Sequence, residues 1–463
     1  MVCACGFFGG CVRYEARPLA PEVTAAALGA RSLNDDGLHR FLAQNLGRDP
    51  TPWPPGTWDF ETLTWVAFFY EPSLEVARAQ WQVASAGAKT AAARANPTLT
   101  VTPGYDTSVP GGISPWFPSI SLDFLLETRG KREHRAAIER LAAESARLNI
   151  LSSAWTVRRE LRRALIEASA ASRKLTLLDQ QVALARESWS LMEKRREAGT
   201  VSATEVAPAH TALIRAEAAA AEAQRQAPLA RARVARTLGL PAAALDGARL
   251  VDMLAAPASP LAAAELAAAR RQSLQSRADI LAALARYEAS QEALQLEVAR
   301  QYPDLHVGPG YQYDLGENKW SVVVGLELPV FHHNEGPLAE AEARRREAAA
   351  QLIAAQARVI AEIDEAVAAQ TAAYAQIDHL NWLREELSQQ AARLEARLKA
   401  GDADRLECQN ARMDVVGGEL ALLEAEAGAV AAAGQLEDSL QVPFNNLAAV
   451  VHAPGDGASH PLP

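Results

Sequence analysis

Four short segments of this chain alternate between apolar and polar residues, as the residues of a half-buried β-strand do. They come in two pairs, at 98–105 and 119–124 in the first half and at 305–313 and 320–328 in the second. In each segment the apolar side chains share one face, and small or polar residues share the other. The pattern therefore predicts four strands, each with one apolar and one polar face.

Two much longer stretches hold no turn signal. The first runs from Gly130 to Ala198, which corresponds to about 100 Å of α-helix at 1.5 Å per residue. The second runs from Pro337 to Ala400. Apolar residues three and four positions apart predict a packing seam in each. These residues are Leu175, Leu178, Val182, Ala185, Trp189 and Met192 in the first, and Ile363, Val367, Tyr374 and Ile377 in the second. Each stretch ends at an Ala-Gly pair, after which a second helix is predicted to return. In the first returning helix, Pro208 and Pro228 predict a bend or an interruption.

The two halves of the chain repeat one another. Residues 96–105 read NPTLTVTPGY, and residues 302–311, which lie 206 positions later, read YPDLHVGPGY. Farther along, an offset of 202 positions relates Gly199 to Gly401, Glu205 to Glu407 and Pro241 to Pro443. The chain is therefore a duplication. Each copy is predicted to be helix, strand, strand, very long helix, tight turn and helix.

The duplication also predicts how the chain is divided. We expect a leader (1–11), a peripheral linker arm rich in Pro, Gly, Asp and Arg (12–59) with an irregular stretch at 53–56, a first repeat (60–256), a second repeat (257–445) and a disordered tail (446–463). The leader ends in Phe-Gly-Gly-Cys, which resembles a lipoprotein box, so either Cys11 is acylated or the segment is a disordered leader.

Composition narrows the class of protein. Hydrophobic residues make up 49 % of the chain, but many are alanines and aromatic residues reach only 6 %, which suits thin helical packing. A net charge of −10 without a basic stripe argues against nucleic-acid binding. The sequence has no run of 18 apolar residues, no phosphate-binding glycine loop, no nucleophile elbow and no metal-ligand pair at helical spacing. We therefore predict neither enzyme activity nor a cofactor or metal site.

Four strands cannot close on themselves. On the strands alone a soluble sandwich is the simplest explanation, but so small a sheet beside such long helices must pack on something or assemble with other copies. Three chains would supply twelve strands, which is within the range of transmembrane barrels, together with a cylinder of helices.

The duplicated arrangement, the two NP-x-L-x-V-like strand motifs and the two Ala-Gly tips resemble the TolC family of outer-membrane efflux factors from about Phe60 to Pro443. With Cys11, the chain is similar to the lipoprotein, heavy-metal-efflux branch of that family. The resemblance implies a mainly helical homotrimer with a small β part. It implies a twelve-stranded barrel in outer-membrane lipid and a helical barrel in the periplasm. It also implies a periplasmic adaptor that links the channel to an inner-membrane pump of the RND or ABC type.

In that family the helical tips carry the entrance gate and touch the adaptor. The corresponding tips here are Gly199, Thr200, Val201 and Ser202 in the first copy, and Gly401 and Asp402 in the second. Glu205 and Glu407 each follow a tip glycine by six positions, so three chains would form rings of carboxylates. Both also fit the third position of a capping box, begun by Ser202 and Asp404, and the two roles are compatible. Asp402 and Asp404 either join the gate or form a solvated face.

A few further residues carry candidate chemistry. By strand alternation, Asp123, His306 and Glu327 are predicted to line the lumen of a barrel. Cys408, beside Glu407, is predicted to be a packed residue rather than a soft-metal ligand.

The sequence leaves three functions in competition. The first is a passive outer-membrane exit duct for small molecules or metal ions, driven by a partner pump. The second is the exit duct of a protein secretion system. The third is a soluble coiled-coil scaffold, which would need no membrane.

Overall fold

The computed structural model describes residues 14–47, 50–108, 110–254 and 262–441. The predicted leader with Cys11 and the predicted tail lie outside the described residues. Ten α-helices and four strands are found in the described part of the chain. The helices are α1 (Pro21–Gly29), α2 (Asp36–Leu46), α3 (Phe60–Tyr70), α4 (Pro72–Ala92), α5 (Lys131–Glu197), α6 (Ala203–Thr237), α7 (Ala263–Ser276), α8 (Ala278–Ala299), α9 (Glu335–Ala400) and α10 (Arg405–Leu440). The strands are β1 (Thr98–Thr102), β2 (Ser119–Leu126), β3 (Leu305–Asp314) and β4 (Glu317–Leu326).

The two long helices organise the molecule. With 67 residues α5 is about 100 Å long, and α9 has 66 residues, as the missing turn signals predict. In the first copy α4 and α6 pack along α5, and in the second α8 and α10 pack along α9. The copies are joined where α5 also packs on α8 and on α10. The predicted order of elements in both repeats is confirmed.

All four strands form a single antiparallel sheet in the order β1-β2-β3-β4. The pairing of β2 with β3 joins the first copy to the second. A two-residue turn links β3 to β4, with Leu315 and Gly316 at φ values of 50° and 85°. Positive φ at both positions gives a turn whose twist suits a hairpin, and this is why a glycine stands there.

Apolar residues form a continuous face across this sheet. Leu99 lies opposite Leu122, and Tyr311 lies opposite Trp320. Most side chains on this face are exposed, with Trp320 77 % and Val322 72 % accessible. No described part of the chain covers these apolar side chains. A single chain is therefore not a self-contained β-sandwich, and that explanation of the strands is wrong.

The largest core lies beside the middle of α5, where the ends of several shorter helices meet it. Residues of the predicted linker arm belong to this core, among them Leu38, Phe41 and Leu42 of α2. Arg31 donates to the carbonyl oxygens of Tyr70 (2.7 Å) and Gly239 (2.9 Å), and so ties the arm to the ends of α3 and α6. The prediction of a merely peripheral arm is therefore corrected: the arm holds two helices, and apolar burial fixes the second of them.

Helix α6 continues without interruption through Pro208 and Pro228. Of the predicted bend or interruption, the interruption is wrong, since the packing of the helix along α5 outweighs the backbone hydrogen bonds that the prolines remove. The bend stays a prediction. Among the described helices, none is both long enough and apolar enough to cross a membrane.

Candidate functional site at the helical tips and the sheet

The tips of the two helical hairpins have the same backbone geometry. In the first, Gly199 adopts a φ of 74°, and the amide of Thr200 donates to the carbonyl of Arg195 at 2.9 Å. In the second, Gly401 adopts a φ of 83°, and the amide of Asp402 donates to the carbonyl of Arg397, also at 2.9 Å. This arrangement ends a helix with a left-handed glycine and turns the chain sharply. The 202-residue offset therefore relates two equivalent turns.

Glu205 closes a capping box at the first tip. Its carboxylate accepts from the Ser202 amide at 2.7 Å, and the Ser202 hydroxyl accepts from the Glu205 amide at 3.3 Å. Hydrogen bonds from the Ser202 backbone and side chain lower the pKa of this fully exposed carboxyl. Glu205 is thus charged and held by its own helix, which confirms its capping role; its gate role stays a prediction.

Asp404 behaves differently from its counterpart Ser202. Its carboxylate accepts from the Leu406 amide at 3.3 Å, so it caps α10, but Glu407 makes no reciprocal bond within the described chain. The second capping box is therefore wrong. Instead, both Asp404 oxygens accept from Arg195 at 2.5 Å, and this bond lowers the pKa of Asp404. Asp404, predicted either to join the gate or to form a solvated face, is therefore a partly exposed charge with a partner, and the pair ties one tip to the other. Its gate role stays a prediction.

The remaining candidates at the second tip differ in exposure. On the second tip, Asp402 and Glu407 are exposed. On the first tip, Val201 and Ala203 lie on either side of Ser202. Cys408 is 3 % exposed, and its Sγ donates to the Leu394 carbonyl at 3.4 Å. Cys408 is thus the packed residue that was predicted.

The polar face of the sheet brings two of the three predicted lumen residues together. Nδ1 of His306 lies 2.8 Å from Oδ2 of Asp123, on neighbouring strands. Glu327 is exposed and lies one position beyond the end of β4. Their position in a lumen stays a prediction, since it depends on closure of the sheet.

Where the strands meet the helices, the structure adds a contact that the sequence analysis missed. Lys131 is buried at 6 % exposure, and its Nζ donates to Asp304 at 2.7 Å and to the Tyr302 carbonyl at 2.6 Å. The Thr128 amide donates to the same carboxylate at 2.9 Å. These bonds fasten the first copy to the second. Asp304, the residue directly before β3, therefore belongs to this junction.

A second missed cluster lies between α5 and α10. Arg162 donates to Asp438 (3.0 Å) and Glu437 (2.6 Å), and the Arg162 and Asp438 side chains are almost buried. Burial raises the pKa of Asp438 to about 6, although Arg162 and Arg158 lower it. The sequence carried a signal for this cluster. Four arginines lie between positions 158 and 163 in the first repeat, and an acidic pair lies near the end of the second repeat.

Within the described residues, no three His, Cys, Asp or Glu side chains gather as a metal site. At the start of α9, His333 pairs with Glu335, and neither has another side-chain partner in the described part of the chain.

Comparison with known protein families decides what this geometry belongs to. The family model described as outer membrane efflux protein matches residues 70–240 and 269–440, one span in each repeat. Together the two spans cover most of the chain. The chain belongs to the outer membrane efflux protein family. No match was found among curated proteins.

Solved structures establish the same fold for this efflux protein. The outer membrane protein VceC from Vibrio cholerae is 20 % identical, with a TM-score of 0.68, over 83 % of this chain and 96 % of that one. The MtrE outer membrane channel of Neisseria gonorrhoeae, solved in an open state, is 18 % identical, with a TM-score of 0.66, over 82 % and 88 %. The CmeC outer membrane channel of Campylobacter jejuni is 14 % identical, with a TM-score of 0.66, over 82 % and 85 %.

The efflux protein is therefore an outer-membrane channel component of a tripartite efflux system, with helices that extend into the periplasm. Members of the family are transport channels rather than enzymes. They are trimeric outer-membrane components that work with adaptor and inner-membrane pump partners. The predicted resemblance, localisation and channel function are confirmed, and the comparisons do not favour the secretion duct or the soluble scaffold.

Proposed function

We propose that three copies of this chain join head to tail into a ring. Their sheets would form a twelve-stranded barrel, and their helices would form a continuous tube below it. The observation that carries this proposal is the uneven distribution of exposed apolar side chains. No large hydrophobic side chain on α5 or α10 is exposed, because each of these helices already packs on both neighbours. The large hydrophobic side chains that are exposed on the helices of the two repeats lie largely on α4, α6 and α9. They are Val76, Val83, Ile214, Leu229, Ile353, Ile360, Trp382 and Leu383.

The duplication explains why those three helices are left uncovered. Within one chain, the two repeats meet through the pairs β2–β3, α5–α8 and α5–α10. The equivalent contacts on the other side would be β4–β1, α9–α4 and α9–α6, and one chain by itself cannot make them. A neighbouring chain can, and repeating such a head-to-tail contact generates a closed ring. The ring also pairs both sheet edges, which an assembly in lipid requires.

The closed ring would be a passive duct. The apolar sheet face would contact outer-membrane lipid, and the face with Asp123, His306 and Glu327 would line the lumen. Six helical tips would form the periplasmic mouth, where Glu205, Glu407, Asp402 and Asp404 would place rings of negative charge that favour cations. The Arg195–Asp404 pair would hold adjacent tips together. Catalysis has no place in this arrangement, and energy would come from the pump.

The tips would also be where partners bind. We propose that residues 199–202 and 401–402 contact a periplasmic adaptor, which connects the duct to an RND-type or ABC-type pump for small molecules or metal ions. Acylation of Cys11 would add an anchor in the inner leaflet of the outer membrane.

The test is the state and activity of the full-length chain. Extracted from outer membranes in detergent, it should have the mass of three chains, and in planar bilayers it should give cation-preferring conductance. Radiolabelled palmitate should label the wild type but not Cys11→Ser. A monomer in the soluble fraction, or a trimer that conducts no ions under any condition, would overturn the duct.

A further inference from the structure

The contact between α5 and α10 contains a nearly buried ion pair. Arg162 on α5 lies 3.0 Å from Asp438 on α10, and their side chains are only 6 % and 7 % exposed. A second pair, Lys174 with Glu424 at 3.0 Å, lies farther along the same two helices. Because antiparallel helices have the same rise per residue, the two pairs together fix which positions of α5 and α10 face each other.

At the level of the buried pair, the 202-residue offset relates the two repeats residue by residue. Three positions of α5 and their counterparts on α9 are all buried, namely Val157 and Val359, Leu161 and Ile363, and Ala164 and Ala366. The returning helices agree, since Val234 on α6 and its counterpart Leu436 on α10 are buried as well. Here α9 is therefore the counterpart of α5, and α6 is the counterpart of α10.

The counterparts of the buried pair carry the same two charges with the signs exchanged. Asp364 on α9 corresponds to Arg162, and Arg236 on α6 corresponds to Asp438. Both counterparts are exposed. Within the described chain α6 packs on α5 and α9 packs on α8 and α10, and α6 and α9 share no comparable interface. We propose that Asp364 of one chain forms an ion pair with Arg236 of the next chain, in the register of Arg162 and Asp438.

Both groups are free to make this contact. In the described part of the chain, the Arg236 side chain has no ion-pair or hydrogen-bond partner. Asp364 lies 2.8 Å from Arg270 of α7, but its side chain is still 58 % exposed. Since a carboxylate has about four acceptor sites, it can accept from a second guanidinium. Asp438 already lies beside two arginines in the same way within one chain.

The residue sizes around the two pairs also agree. Gly434 of α10 lies against Arg162, whose Nη1 donates to the Gly434 carbonyl, and a Cβ at position 434 would overlap Cδ of Arg162. The counterpart of Gly434 is Ala232, an exposed residue of α6. In the proposed contact it faces Asp364, which has no Cδ and so leaves room for the alanine methyl group.

A pair at this position would fix how neighbouring chains join. When two helices cover a charge, any other register leaves that charge buried without a partner, which is strongly unfavourable. The exchanged signs therefore favour one alignment of α9 on the α6 of the next chain, and disfavour alignments that place Asp364 or Arg236 against an apolar surface.

This inference rests on the proposed ring, and charge reversal tests the two separately. In the full-length chain, Asp364→Arg and Arg236→Asp each bring like charges together, so each should clearly lower the dissociation temperature of the detergent-extracted trimer. The double variant Asp364→Arg/Arg236→Asp restores opposite charges and should recover most of that loss. If Arg236 acted only on the end of its own helix, the two losses would add instead.

Asp364→Arg/Arg233→Asp is the matched control. Arg233 lies about one turn before Arg236 on α6 but pairs with Glu167 of its own chain at 3.1 Å, so its reversal should recover nothing. A trimer in which Arg236→Asp gives no recovery, or in which Arg233→Asp recovers as much, would overturn the pair but keep the ring. A monomeric wild type would overturn both.

Cross-linking keeps the proposal testable if a reversed variant does not assemble. Asp364→Cys/Arg236→Cys, in a Cys408→Ala background, should give covalent dimer and trimer with a short bis-maleimide in outer membranes. Each single cysteine variant controls for the leader cysteines. Asp364→Cys/Glu222→Cys should stay monomeric, because Glu222 lies about 21 Å from Arg236 along α6 at 1.5 Å per residue. No product from the first pair, or product through Glu222 instead, would overturn the contact.

Discussion

Arg195, two residues before the end of α5, donates to both carboxylate oxygens of Asp404, the residue that caps α10. The pair connects the two helical tips of one chain. Both side chains are more than one-third exposed, so the ion pair is screened and worth about 0.5 kcal/mol rather than several. A contact of that strength can shift the equilibrium between an open and a closed periplasmic mouth without holding the mouth in one state.

Replacing Asp404 by Asn should therefore loosen the mouth without unwinding α10, because Asn caps a helix as well as Asp but cannot form the ion pair. We expect the open population in single-channel recordings to rise about two- to threefold for each pair that breaks when the mouth opens. Asp402→Asn, on the same tip but without a side-chain partner in the described chain, is the control. Equal effects of the two substitutions would show that tip charge, and not the pair, controls opening.

Glu205→Ala should fray the start of α6, because it removes the carboxylate that holds the Ser202 amide. Amide hydrogen exchange at residues 202–206 should become faster. Glu407→Ala should leave the start of α10 unchanged, since Asp404 performs the capping there. Similar exchange in both variants would contradict the assignment of the capping box to the first tip alone.

Lys131→Met should weaken the junction between strands and helices. The substitution keeps the apolar stem but leaves Asp304 without its buried partner, at a cost of about 2 to 4 kcal/mol. The dissociation temperature of the detergent-extracted protein should fall clearly. Lys319→Met, which removes an exposed pair with Asp314 on the sheet, should change it little. If the order of the two effects were reversed, the Lys131 bonds would not support the junction.

Val323 and Val324 are neighbours on β4 that face opposite sides of the sheet. Val324→Lys places a charge on the proposed lipid face, where it costs about 2 to 4 kcal/mol near the middle of a bilayer, and outer-membrane assembly should fail. Val323→Lys places the same charge on the polar face and should assemble. Fractionated membranes give the readout, and failure of Val323→Lys alone would reverse the assignment of the faces.

The raised pKa of Asp438 predicts that the free energy of unfolding depends on pH. Its folded pKa of about 6 lies above the ordinary 3.8, so the folded chain binds this proton more tightly than the unfolded chain does. The resulting stabilisation is complete below about pH 4 and is lost as the pH rises through 6. Asp438→Asn cannot titrate, so the stability of the wild type relative to this variant should fall by about 2 kcal/mol between pH 4 and pH 7.

Thermal unfolding at several pH values measures this difference, with Asp414→Asn, an exposed aspartate on the same helix, as control. A flat difference between the wild type and Asp438→Asn would mean that Arg162 offsets the burial of the carboxylate fully.

Much of this molecule could be predicted from local pattern. The 202-residue offset identified two tips that share one backbone geometry, and strand alternation identified the apolar face that the structure leaves uncovered. Helix α2 was missed although a signal was present, since Asp35 caps a stretch in which Leu38, Phe41 and Leu42 recur at helical spacing. Its burial against distant helices could not be read from that stretch.

The sequence by itself determined the duplicated elements, their lengths and the two faces of each strand, because periodicity and turn residues act over a few neighbouring positions. Only the tertiary structure decided that Arg195 meets Asp404, that Lys131 holds Asp304 and that Arg162 meets Asp438. Each of these pairs joins residues more than 170 positions apart. A charged residue in a sequence carries no mark of its partner, and only the packing of one repeat on the other brings the two within reach.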